Sequence, residues 1–293
     1  MSKKRGSWMA RIAVLVGLVG LLGFSVTPMV SAVLEARQSN PPDARASAEA
    51  AEQENKADLE DRARGYELVL QREPDNETAL LGLLQIKLQL NDIKGTVEPL
   101  EKLAQLNPQE TRYKVLLAQT RQYTGDREGA AQTYRNILTS TPGNVQALEG
   151  LSALLVDEGR PEAAIGLLED TLSTAPQANQ VEPKSVDVTS VRVLLGGVYA
   201  QQQRYEDALQ VYNKAIEADN KDFRPLVGKA IVLKQQGKIE DARPLFDKAL
   251  ALAPAQYKDQ IQVQLEELDA PSAQTASPEA ASPEDSEPSS ESE

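Results

Sequence analysis

The stretches LLGGVYAQQQRYEDALQVYNKAIEADN (residues 194–220) and GKAIVLKQQGKIEDARPLFDKALALAP (residues 228–254) decide the fold. Laid over one another 34 residues apart, they match Ala208 to Ala242, Tyr212 to Phe246 and Asn220 to Pro254. A small residue and a large apolar one four positions later share one face of a helix. The small residue lets a second helix approach closely, and the large one fills the groove beside it. The unit read from these stretches is therefore a pair of antiparallel helices.

The same spacing runs upstream. Pro74, Pro108, Pro142 and Pro176 stand 34 residues apart; the step then slips by ten to Asn220 and resumes at Pro254. Small residues recur as Thr96, Ala130, Ala164, Ala208 and Ala242, each followed by Leu100, Tyr134, Leu168, Tyr212 or Phe246. The turn inside each pair carries Gly125, Gly159 or Gly237, with Asn91 and Gln203 in the other two copies. Glycine accepts the left-handed conformation that ends a helix, and proline stops the next one. Pro161 falls just inside a helix start, where its missing N–H is harmless. Pro99 and Pro244 fall about a turn into second helices, which should start late or bend.

This pattern resembles the tetratricopeptide-repeat (TPR) family over about residues 60–256, without that family's preferred Trp near the repeat start. The resemblance implies an all-α, right-handed superhelix of antiparallel helix pairs. We expect a leading helix at 59–73 and repeats at 77–110, 111–144, 145–178, 189–222 and 223–256. A capping helix at 256–268 follows, with the polar outer face a solenoid end requires. The polar segment QANQVEPKSVD (177–187) contains Pro183 and should be an exposed loop.

Composition narrows the chemistry. The 293 residues include no His and no Cys. That excludes Ser-His-Asp and Cys-His catalysis and ordinary zinc sites. No metal or cofactor is expected. Net charge is −13, from 31 basic and 44 acidic residues. This opposes nucleic-acid binding, which depends on neutralising phosphates.

The N-terminus carries a different signal. Residues 12–34 contain no charge and follow a basic segment, 1–11, with Lys3, Lys4, Arg5 and Arg11. As a helix they reach roughly 34 Å, enough to cross a bilayer core. The positive-inside rule keeps the N-terminus cytoplasmic and exports the repeat domain to a periplasmic or lumenal side. The other reading is a cleaved signal peptide, broken at Pro28 and cut near Val30-Ser31-Ala32. Residues 35–58 form a polar stalk, helical or flexible. Residues 269–293, rich in Ser, Pro, Ala and Glu, form a disordered acidic tail.

In the family the first helix of each repeat lines a concave groove. Carried onto this chain, that implies a lining of Gln85, Gln89, Arg112, Gln119, Tyr123, Arg224, Lys234 and Gln235, with Glu149, Asp157 and Gln201 between them. Glutamine can both donate to and accept from an extended backbone, so the expected partners are peptide segments or helices of other proteins. The same residues would also suit plain solvated helix faces. The carboxylate clamp for chaperone tails is absent, because Leu81 and Gln85 occupy its leading pair. Glu149 and Asp157, eight residues apart, stand about 12 Å apart on one helix. That exceeds the roughly 5–9.5 Å used by paired carboxylates in glycoside hydrolysis. No enzymatic activity is expected.

A narrower resemblance is to the cyanobacterial and chloroplast group related to the SLOW GREEN proteins of plants. It is carried by Gly125-Asp126, the irregular join, and Asp222-Phe223-Arg224-Pro225. It implies a photosynthetic membrane, such as the thylakoid, and support of chlorophyll or photosystem biogenesis through protein contacts. An exported repeat domain departs from stromal-side action. The leading expectation is a scaffold for assembling or stabilising membrane complexes. Alternatives are an envelope factor handling secreted or outer-membrane proteins, and a sensor that sequesters one soluble partner.

Overall fold

The computed structural model describes residues 42–269, with side chains from Gln53 to Leu268. The segments expected to enter a membrane (12–34) and to form the tail (from 270) lie outside the described residues, as do stalk residues 35–41. Among the described residues no helix is long and apolar enough to cross a membrane. They form twelve α-helices and no strand. These are α1 (Pro42–Arg72), α2 (Glu77–Gln89), α3 (Val97–Leu106), α4 (Thr111–Tyr123), α5 (Arg127–Ser140) and α6 (Val145–Asp157). After them come α7 (Pro161–Val181), α8 (Val188–Gln201), α9 (Tyr205–Ala218), α10 (Arg224–Gln235), α11 (Ile239–Leu252) and α12 (Ala255–Asp269).

Helices α2 to α11 pair as five antiparallel hairpins, each packed on the next. The small residues Thr96, Ala130, Ala164, Ala208 and Ala242 are all buried, and so are Leu100, Tyr134, Leu168, Tyr212 and Phe246. The large side chains act as wedges. A Cβ on Gly150 would collide with the Tyr134 ring, and a Cβ on either Gly196 or Gly228 with the Tyr212 ring. Tyr212 thus reaches the first helix of its own repeat and that of the next. Tyr66 of α1 meets Gly82 of α2 in the same way, so α1 acts as the second helix of a preceding half-repeat.

The five hairpin turns share one geometry. Asn91, Gly125, Gly159, Gln203 and Gly237 all have φ between 56° and 89°. In each, the following N–H bonds back across the helix end, as Arg204 does to Tyr199 and Lys238 to Leu233, both at 2.9 Å. Such 6→1 bonds satisfy carbonyls the helix leaves unpaired.

Two expectations need correction, at α1 and at Pro176, and a third, the late start at Pro99, is met. Helix α1 does not begin near residue 59 but runs unbroken from Pro42 to Arg72, because Ala, Glu, Gln, Leu and Arg predominate and no proline follows its first residue. Pro99 sits in the first turn of α3, which starts late, after a 3-10 turn at Lys94–Thr96. Pro244 lies inside α11, and Pro176 does not stop α7, which continues to Val181. The segment 177–187 is therefore helical in its first half and a built joint in its second. Asn179 accepts from the Val186 N–H (2.9 Å) and donates to its carbonyl (3.0 Å). Val186 is buried, and the loop backbone lies so close to Gly143 that a Cβ there would strike the Ser185 carbonyl.

Two stability predictions follow from the wedges and the turns. The buried Tyr212 hydroxyl has no hydrogen-bond partner, so Tyr212→Phe should stabilise by about 1 kcal/mol, whereas Tyr212→Ala should lose about 3–5 kcal/mol. In urea unfolding, a destabilised Phe variant would show that the hydroxyl contributes. Gln203→Gly, which relieves a left-handed residue at φ 61°, should raise stability and Gly159→Ala should lower it, each by about 1 kcal/mol, read from the direction in which the thermal midpoint moves.

Candidate functional site

Successive first helices touch one another directly, α4 with α6, α6 with α8 and α8 with α10. With the second helices packed behind, each first helix keeps one stripe free. On α2 that stripe is Leu81, Gln85, Leu88 and Gln89; on α4 it is Arg112, Leu116, Gln119 and Tyr123, all exposed. On α6 it continues with Glu149, Ala153 and Asp157, on α8 with Gly197 and Gln201, and on α10 with Arg224, Lys234 and Gln235. Across α4, α6, α8 and α10, which touch in turn, the stripes line up as one face.

The residues on this face differ in what they have left to offer. Gln85, Gln89, Gln119 and Gln235 are exposed, and Tyr123 is 76% exposed. Leu81 and Leu88, absent from the sequence-based lining, are large apolar side chains with 41% and 53% of their surface in water. Their spacing from Gln85 was the available signal. The Arg112 guanidinium stacks over the Tyr113 ring at 5.4 Å.

Arg224 and Lys234 are engaged within the chain. Arg224 grips the Asp222 carboxylate through Nε (3.0 Å) and Nη2 (2.6 Å) and donates through Nη1 to the Ser190 hydroxyl at 2.7 Å. Phe223 beside it stacks on Tyr257 of α12, with ring centroids 5.3 Å apart. The Asp222-Phe223-Arg224-Pro225 motif thus works as a latch between α8, α10 and α12. Burial opposes charge on Asp187, yet hydrogen bonds from Ser190 and the nearby Arg224 hold its carboxyl below the ordinary range. Lys234 donates to Glu267 of α12 at 2.6 Å. The capping helix therefore neutralises the groove's last cation.

Glu149 is different. Half-buried in the α6 wall, its carboxyl is pushed up to about 7, and burial alone is the cause. Its charge in turn adds to the burial that pushes the Tyr134 hydroxyl up to about 12. That hydroxyl donates to Gln122 Oε1 at 3.3 Å. Asp157, two turns along the same helix, is exposed. The described residues contain no cluster of acidic side chains able to hold a metal ion.

Comparison with known proteins agrees with this architecture. The tetratricopeptide-repeat family model matches residues 48–254. The chain is similar to SLOW GREEN 1, chloroplastic, of Arabidopsis thaliana, at 25% identity over 190 residues, 65% of this chain and 59% of that protein. It is also similar to cellulose synthase operon protein C of Pseudomonas fluorescens, at 30% identity over 152 residues, 52% of this chain but 12% of that protein. The chain thus spans less than two thirds of either relative. The crystal structure of yeast Tom70 overlays with a TM-score of 0.51 at 15% identity, covering 71% of this chain and 42% of that one, a likeness of fold.

The raised Glu149 carboxyl makes stability depend on pH. Below about pH 4.5 the group is neutral whether folded or unfolded. As pH rises towards 7 the unfolded chain gives up that proton while the folded one keeps it, so stability falls, and the penalty is complete above 7. Glu149→Gln should therefore stabilise by about 2–3 kcal/mol at pH 8 and leave stability unchanged at pH 4. Equal effects at the two pH values in urea unfolding would show that the carboxylate is well solvated.

Proposed function

The chain belongs to the tetratricopeptide-repeat family, and from that premise we propose that its aligned first-helix faces hold protein segments while a membrane complex is assembled or stabilised. Repeats of this family imply a protein–protein interaction scaffold. The observation that carries the reading is the row of first-helix faces from Arg112 to Gln235, together with exposed side chains on α2 and α4 that the packing leaves unused. We read the role as non-catalytic: Glu149 and Asp157 stand on one helix at a spacing too wide for paired-carboxylate chemistry.

Two features support the membrane part of the proposal. One is the uncharged segment 12–34 behind a basic N-terminus, which would hold the chain in the bilayer with the repeats on the exported side. The other is the similarity to a chloroplastic protein, which favours a photosynthetic membrane. The similarity to a cellulose synthase operon protein favours the second reading, an exported envelope factor.

Photo-crosslinkers placed at Gln89 and Tyr123 in native membranes should capture subunits of a membrane complex, and Arg112→Glu with Tyr123→Ala should cut that yield at least tenfold without shifting the thermal midpoint. Photosystem or pigment-synthesis subunits among the captures support the first reading and envelope machinery the second. Capture unchanged by the double substitution would place the partner elsewhere. In sealed vesicles whose cytoplasmic face points outward, protease should spare the repeat domain; digestion of it would reverse the proposed topology.

A further inference from the structure

The charges along this face do not cancel in the same place. Arg224 is held by Asp222, with Asp187 close by, and Lys234 by Glu267, so the far end of the groove supplies its own counter-charges. In the middle, Glu149 is half-buried and burial alone perturbs it, and among the described residues no Lys or Arg acts on its carboxyl. The titratable group coupled to it from the helix behind is the Tyr134 hydroxyl, which cannot serve as a counter-cation. A carboxylate kept partly out of water without a cation is unfavourable, and a cation brought to it by a ligand would gain that energy back.

The surroundings describe the rest of the ligand. One turn along from Glu149 the lining is Ala153, and the matching position of α8 is Gly197, small residues that leave room for a chain to lie close. On the neighbouring α4, Leu116 and Tyr123 are exposed at 40% and 76%. Packed helices lie about 8–10 Å apart, and an extended chain advances about 3.3 Å per residue, so the step from one helix to the next is about three residues.

Resting on the groove reading above, we infer that this face binds an extended protein segment with a Lys or Arg seated on Glu149 and a large apolar side chain, about three residues away, on Leu116. Asp157, about 12 Å along the helix, extends the negative field towards a second cation. Acidic segments are disfavoured by the same two carboxylates. Binding also draws the Glu149 proton off, so affinity rises with pH through the neutral range.

The test is selection of a displayed random peptide library on the full chain in detergent, at pH 8 and pH 5.5. Retained peptides should carry Lys or Arg three residues from a large apolar side chain, with at least tenfold greater enrichment at pH 8. Glu149→Gln should abolish that bias and Glu149→Asp should keep part of it. Because the Gln variant is expected to be more stable than the parent at pH 8, a normal melting curve separates lost recognition from lost folding. Acidic or uncharged selected sequences, or a basic bias that survives Glu149→Gln, would overturn the inference. So would the absence of any enrichment. If crosslinkers at Gln89 and Tyr123 still capture partners, the groove stands and only its proposed ligand chemistry falls. If both experiments are blank, the groove reading falls with it.

Discussion

The seat of one large side chain against small neighbours is the constraint on which the rest depends. Tyr212 is fully buried, and its ring occupies the space that a Cβ on Gly196 or on Gly228 would need. One side chain therefore sets two distances, the first within a repeat and the second between repeats. Tyr134 against Gly150 and Tyr66 against Gly82 repeat the contact. Because each wedge sees only its own repeat and the next, stability accumulates along the array as a chain of nearest-neighbour terms. The helix α1 supplies the first wedge without a first helix of its own, and α12 closes the other end by burying Ile261 and Leu268.

The wedge also sets the exposed first-helix face. By drawing α4, α6, α8 and α10 together it leaves their stripes in one row, so this face is a by-product of packing and needs no dedicated loop. What distinguishes one repeat from the next on that row is side-chain chemistry alone. The α2 and α4 stripes offer exposed Leu, Gln and Tyr, whereas the α10 stripe spends its two cations on contacts inside the chain.

Features fixed by local physics were legible in the sequence. The recurrence of small and large residues revealed the hairpins, and the turn residues, including Asn91 and Gln203, proved to be the left-handed ones. The misreadings concern effects whose outcome depends on distant partners. Proline at 176 should have ended a helix, but the joint after it is organised by Asn179 holding Val186 and by contact with the turn at Gly143. Likewise Lys234 read as a free groove cation because Glu267 lies 33 residues away in sequence, and Arg224 did so although Asp222 stands two residues before it. A motif search sees the arginine and the lysine but not what they already hold.

That difference shapes what the groove can recognise. Counted from sequence, its lining looks balanced, with Arg112, Arg224 and Lys234 against Glu149 and Asp157. Once internal ion pairs are removed, Arg112 remains at one edge, stacked on Tyr113, while the two carboxylates hold the centre. The potential a ligand meets is set by this remainder and not by the formal count. Burial sharpens it further. A fully solvated glutamate would be paired with water and give little to a partner, whereas Glu149, raised to about 7, stands in the range where a neighbouring cation changes its charge state. The same packing that builds the repeat wall thus holds the Glu149 carboxyl partly out of water, and the proposed recognition of a basic segment starts from that imbalance.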